Sequence, residues 1–132
     1  MGTGNVVTNN GLKLALNRIF KATPDYSAPS KFKIGTGTTT PTTSDTDIEN
    51  GVSINGGATK SFVSGYPILD ESNLQVTIRC FLNSVEGNGN NLTEFGIFNE
   101  DSTPLMYSRA VFTSITKSNV VEIAFVQKDK FT

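Results

Sequence analysis

The chain has 132 residues, a formal charge of -1 and a pI near 5.3, with 36% apolar and 17% charged residues. That length supports one domain with a real hydrophobic core, and its Lys and Arg are scattered rather than gathered into the basic stripe that phosphate neutralisation needs, which disfavours nucleic-acid binding. A single cysteine, Cys80, excludes an intrachain disulfide and a multi-cysteine metal site, while the absence of histidine removes the usual Ser-His-Asp and Cys-His forms of catalysis and disfavours zinc chemistry.

Thr, Ser, Asn and Gly fill the rest, a composition suited to turns and to strands with hydroxyl-rich faces. The start, Met1-Gly2-Thr3-Gly4-Asn5, lacks the basic-then-apolar pattern of a secretory signal, and Val6 breaks the myristoylation pattern. No apolar run approaches the ~20 residues of a membrane span. The expectation is a soluble protein made in the cytoplasm, in which the Asn91-Leu92-Thr93 sequon carries no meaning.

One helix is predicted, from Gly11 to Lys21, capped by Asn9 or Asn10 and stopped by Thr23-Pro24. Leu12, Ala15, Leu16, Ile19 and Phe20 fall on one face, which must lie on the protein's own sheet or on a neighbouring subunit. Phe32-Lys33-Ile34 reads as a short strand, followed by a polar Gly/Thr loop through Asp45. Thr46 to Glu49 is expected to make one helical turn. Val52–Ile54 and Lys60–Tyr66 read as a hairpin around Asn55-Gly56-Gly57.

Leu74 to Leu82 alternates with period two, with Leu74, Val76, Ile78, Cys80 and Leu82 on its apolar face. Cys80 there behaves as a small buried hydrophobe. Leu92 to Phe98 is a turn-bounded apolar strand with one carboxylate, Glu94, in its middle. Gly96 marks a close backbone approach or a bulge. Pro104 to Ile115 forms one long strand or two shorter ones. Val120 to Gln127, apolar on both sides, reads as a strand packed at both faces, and Lys128-Asp129-Lys130 as a charged tail. These elements predict a mainly β fold, an antiparallel β-sandwich, jelly-roll-like, with one N-terminal amphipathic α-helix, in a single domain over residues 1–132 whose arm and helix take up about 1–22.

Patterns that carry chemistry are incomplete. Gly35-Thr36-Gly37 lacks the Gly-Lys-Ser/Thr of a phosphate loop and the third Gly of a dinucleotide loop, so a tight turn is the better reading. Asp45, Asp47 and Glu49 alternate like a calcium loop, but Asn50 and Gly56 stand where it requires Gly and Glu. Capping of a short helix by Thr43-Ser44 or Thr46 explains these acids more simply, a weak calcium site being the lesser alternative. Glu94 and Glu122 invite a glycosidase comparison, yet no aromatic cleft accompanies them. A buried Glu94 satisfied by Arg79, by Arg109 or by backbone N–H groups at a strand crossing is the favoured reading. No catalytic, cofactor or metal residue is assigned.

Taken in order, Ile34-Gly35-Thr36-Gly37, Asp45-Thr46-Asp47-Ile48, Thr93-Glu94-Phe95-Gly96-Ile97-Phe98, Leu105-Met106-Tyr107-Ser108-Arg109 and Phe112 to Ser118 resemble small virion proteins and fibre-attachment domains of tailed bacteriophages. The resemblance spans about residues 12 to 127. It implies a non-enzymatic structural subunit on a β-sandwich, present in many copies in the virion and assembled in the host cytoplasm. Glu94 and Gly96 match the family's Glu-x-Gly motif, Arg109 its arginine, and Gly35 and Gly37 its Gly-x-Gly, all in structural roles. The implied partners are other copies of the chain and other virion proteins: tail, portal or collar, fibre or major capsid protein. No nucleic acid and no membrane is implied. With Phe131-Thr132 so soon after the last strand and no fibre shaft or receptor-binding tip in view, the expectation is that the chain is not itself a long tail fibre. Alternatives are a capsid decoration protein, a carbohydrate-binding β-sandwich module, which needs an exposed aromatic platform whereas Tyr26, Tyr66 and Tyr107 are widely spaced, and a small hydrolase.

Overall fold

A strand with alternating apolar residues has one face to bury, and this chain buries those faces by packing two antiparallel sheets together. A computed structural model describes residues 5–132, with 41% of the chain in strands and 9% helical. Residues 1–4 of the N-terminal arm lie outside the described region. The elements in order are β1 (Asn5–Val7), α1 (Asn9–Phe20), β2 (Lys31–Gly35), β3 (Gly51–Val52), β4 (Lys60–Ser61), β5 (Ile68–Asp70), β6 (Gln75–Leu82), β7 (Asn90–Phe98), β8 (Met106–Lys117) and β9 (Ile123–Lys130).

The first sheet runs β1-β8-β7-β2-β3, with β4 also on β2, and the second runs β5-β6-β9. β7 and β8 form a hairpin in the first sheet. The strands flanking them in sequence, β6 and β9, pair in the second, from Gln75 opposite Lys130 to Leu82 opposite Ile123. This nested pairing is the wrap of a jelly roll. The crossings from β6 to β7 and from β8 to β9 are each pinned by buried charge. Glu86 accepts from Lys60 Nζ (2.6 Å) and the Asn83 N–H (2.9 Å), and Lys117 Nζ donates to Asn88 (2.7 Å) and to the Ser118 carbonyl (3.1 Å).

The core lies between the sheets. Phe32 and Ile34 of β2 stand opposite Ile97 and Phe95 of β7, facing Ile78, Cys80 and Leu82 of β6. Phe95 stacks on Phe125 of β9 with ring centroids 4.8 Å apart, and Phe112 tilts against both. Burial pushes the Cys80 thiol up to about 12, far from the thiolate that reacts. A disulfide reagent at pH 8 should therefore leave the native protein unlabelled and react at once in denaturing urea. Fast native labelling would place Cys80 outside the core.

Several expectations are corrected. The Asn55-Gly56-Gly57 turn forms, the Ile54 N–H donating to the Gly57 carbonyl (2.8 Å), but joins no hairpin. β3 and β4 lie in line on the same edge of β2, Val52 opposite Ile34 and Lys60 opposite Phe32, because β2 offers a longer ladder than they offer each other. The last strand starts at Ile123, since a Ser118–Val121 turn (3.1 Å) holds Val120 in solvent. It is an edge strand with one buried face, Ile123, Phe125, Gln127 and Asp129 inside and Ala124 and Val126 outside. Lys128–Lys130, expected as a tail, belong to it. Leu74 leaves its predicted strand, with a φ of 52° that sets it in the turn before β6. Finally, Thr46–Glu49 forms no helical turn; it is drawn over the first sheet by contacts described next.

Candidate functional site

The outward face of β2, β7 and β8 presents Lys33, Glu94 and Arg109. Without a cover these would be solvated. The connection between β2 and β3 crosses over them instead, and Glu94 becomes fully buried. The Gly37 N–H (2.7 Å) and Asn50 N–H (2.8 Å) donate to its Oε2, and the Glu49 N–H (2.8 Å) and Arg109 Nε (2.9 Å) donate to its Oε1. Arg109, on the neighbouring strand, also donates through Nη1 to the Thr39 carbonyl (2.9 Å) and to Asp45 (3.2 Å). Arg79, the other partner considered, sits on β6 in the second sheet opposite Val126.

Each glycine around this centre has a steric reason. A Cβ on Gly35 would lie 2.5 Å from both the Asn50 carbonyl and the Glu94 carboxylate, and one on Gly37 would overlap that carboxylate. Gly96 makes room for a side chain rather than a backbone. Ile48 comes down from the loop to where a Cβ would be 2.8 Å away, and it packs there with Phe98 and Met106. Thr93 completes the attachment, its hydroxyl donating to the Gly37 carbonyl (2.7 Å).

The loop's carboxylates are occupied by protein donors. Asp45 accepts from the N–H and hydroxyl of Thr42, Asp47 pairs with Lys33, and Glu49 accepts from the N–H groups of Thr38 and Thr39 and the Thr39 hydroxyl. They cap no helix. Among the described residues, no group of three His, Cys, Asp or Glu is placed to hold a metal ion. Glu122 lies exposed in the turn before β9, so Glu94 and Glu122 are not brought together. With four donors on its two oxygens, Glu94 has no lone pair directed at a substrate. Its chemistry is attachment of the loop to the sheet.

Burial alone would raise the Asp45 carboxyl, but the Thr42 N–H and hydroxyl together with Arg109 outweigh it and hold the group below its ordinary 3.8. The Thr39 hydroxyl and N–H hold Glu49 below 4.5. Carboxyls depressed in the folded state contribute stability that is complete above their ordinary values and is lost as pH falls through the depressed ones. The melting temperature should accordingly stay level from pH 7 to about 5 and fall below about pH 4. Asp45→Asn should flatten part of that fall.

A second feature lies at the helix. Thr8, not Asn9 or Asn10, caps α1. Its N–H continues the β1 ladder to the Tyr107 carbonyl (3.0 Å), and its hydroxyl accepts the Gly11 N–H (3.0 Å) and donates to the Met106 carbonyl. The chain thus passes from strand to helix without a loop. Gly11 rests on the Tyr107 carbonyl, and Leu14 is buried beside it. Docking through that edge leaves most of the helix's apolar arc uncovered. Leu12, Leu16, Ile19 and Phe20 all stand in water, Phe20 at 80% exposure. On the Ala15 and Ile19 side of the helix an apolar groove of about 440 Å³ runs between α1 and the end of the second sheet.

The three tyrosines form no common platform. Tyr26 lies under Lys13 by the helix, Tyr66 precedes a cis proline, and Tyr107 is buried with its hydroxyl on Asp129 (2.8 Å). Of these features, the apolar helix face is readable from its spacing, while its exposure and the groove are not, because what covers the face and what walls the groove come from distant segments. Among the described residues, no helix is long and apolar enough to cross a membrane. The chain matches no family model, no curated protein and no solved structure.

Proposed function

We propose that the chain is a non-enzymatic structural subunit of a tailed-bacteriophage particle, of the tail, collar or fibre-attachment kind, assembled in the host cytoplasm. The observation that carries this reading is the apolar helix face left in water on an otherwise well-packed sandwich. Exposed apolar surface on this scale marks a site to be covered by another protein, and repetitive particles are assembled by covering such sites symmetrically. The attached loop supports the same reading. Its polar groups are directed at holding one fixed surface rather than at a reacting group, and the order of motifs that carries Glu94, Gly96 and Arg109 resembles phage virion proteins.

Particles purified on a density gradient from the phage that encodes this chain should contain it in several stoichiometric copies by quantitative mass spectrometry. Gold-labelled antibody should mark the neck or tail. Label spread over the capsid shell would move the assignment to a decoration protein, and absence from the particles would end the virion reading.

A further inference from the structure

A strand at the edge of a sheet leaves one row of backbone N–H and C=O groups without a ladder, and folds commonly keep such edges short. Among the described residues every edge is short but one. β1 has three residues, β3 and β4 two each and β5 three. β9 runs for eight, in unbroken register with β6 and without a proline.

Bonds near its ends show which side of β9 is open. The Phe131 N–H donates to the Leu74 carbonyl (2.8 Å), and the Val63 N–H donates to the Arg79 carbonyl (2.9 Å) from the other flank of β6. Even-numbered residues of β6 therefore bond towards β9, and odd-numbered residues of β9 bond back. The N–H and C=O groups of Ala124, Val126, Lys128 and Lys130 point away from the sheet, where no described strand pairs with them. Along the same edge lies an apolar recess of about 600 Å³, with Phe112 and Ile115 of β8 on one side and Ile123 and Phe125 of β9 on the other. An open ladder beside an apolar slot fits an extended chain, which supplies alternating N–H and C=O groups and a side chain at every second position; a helix supplies no such row.

A second copy does not fit there through its own β9. Tyr107, Ser108 and Phe112 of β8 lie opposite Asp129, Gln127 and Phe125, and β1 carries the first sheet one strand further out. Pairing β9 with the β9 of another copy would drive the two first sheets into each other. The incoming strand must be a segment free of such a layer. Lys128, on the outer face, has no ion-pair partner among the described residues, whereas Lys130 has Asp70 nearby.

From this we infer that the β9 edge binds an extended segment of another protein as an added strand, its alternate apolar side chains entering the recess and an acidic one lying beside Lys128. The inference goes beyond the structural-subunit reading and does not depend on it. Fluorescence anisotropy with the full chain tests it, the probes being labelled peptides of about nine residues that alternate valine with threonine, one threonine replaced by glutamate. They should bind with a dissociation constant of about 100 µM or tighter. N-methylating either the valine or the threonine amides separates ladder from slot. One set faces the edge and its loss should weaken binding about 10-fold or more, while the other faces solvent and should be tolerated. Val126→Pro removes one outward N–H at a position where an edge strand accepts proline, so it should weaken binding similarly with little change in melting temperature. Lys128→Glu should weaken the glutamate peptide and favour its lysine counterpart.

Dissociation constants above about 1 mM for every peptide overturn the inference. So does binding that both methylated forms retain, or lose equally, a result that decides the matter on the wild type even if Val126→Pro fails to fold. A wild-type dimer that Val126→Pro abolishes also overturns it, by placing a second copy on the edge.

Discussion

Replacing Glu94 by glutamine lowers folding stability by about 3–5 kcal/mol in urea denaturation, the range for breaking a buried ion pair from one side. Glutamine keeps the shape of the side chain but removes the charge. Its amide nitrogen must then face either Arg109 or a pair of backbone N–H groups, since both oxygens of Glu94 are accepting. Either orientation puts donor against donor. Asp45, at 3.2 Å from the guanidinium, offsets only part of the loss because it is itself partly exposed. Many buried ion pairs can be replaced on both sides by apolar residues with little loss. Here Glu94→Leu with Arg109→Met should remain well below wild type, because the N–H groups of Gly37, Glu49 and Asn50 stay buried without an acceptor. Limited proteolysis provides the structural check. The variant should be cut between residues 36 and 50 under conditions that leave the wild type whole. A loss under ~1 kcal/mol would show that Ile48 and the loop's own bonds hold it without the carboxylate.

Gly11→Ala gives the second large effect, against the direction that helix propensity predicts. In a solvent-facing helix interior, this change gains about 1 kcal/mol. At position 11 the new methyl would overlap the Tyr107 carbonyl, a backbone atom of β8 that cannot swing aside. The helix must lift, stretching the Thr8 cap and uncovering Leu14. A net loss of about 1–3 kcal/mol is expected, the range for overpacking a tight contact. Exchange of the α1 amides should rise more than exchange in β6 or β9. A stabilised protein would mean that the helix is not seated on β8 as described.

Much of the sheet structure was legible because it rests on local period-two alternation. β6 and β7 lie within a residue or two of their predicted places, and Ile78, Cys80 and Leu82 point inward as their spacing requires. The helix was legible for a similar reason, but its docking edge was not. Gly11 and Leu14 make the contact because a glycine lets a carbonyl approach, a property of the partner strand and not of the helix's own pattern. The last strand misleads because apolar residues on two sides look alike whether a second layer covers them or nothing does. Ala124 and Val126 are small enough to remain in solvent. The Glu94 centre was half legible. One carboxylate in an apolar strand implies compensation, and Arg109 was one of the two arginines considered for it. The three N–H donors come from a Thr-rich segment with no apolar period, and such a segment gives no hint that it will be held rigidly.

The N-terminal strand and helix must wait for most of the chain to be made before they can dock. Thr8 finds its acceptor at Tyr107, 99 residues later, and Gly37 meets Glu94 after 57. β1 and β2 pair only with β8 and β7, apart from the short β3 and β4. A nascent chain therefore leaves the ribosome with a helix carrying Leu12, Leu16, Ile19 and Phe20 and no sheet to receive it until β7 and β8 have emerged. Folding is then governed by long-range closure, which is slow, and the emerging N-terminal third is the segment exposed to unwanted association. On a polysome, neighbouring chains would present the same sticky helix at the same stage of synthesis.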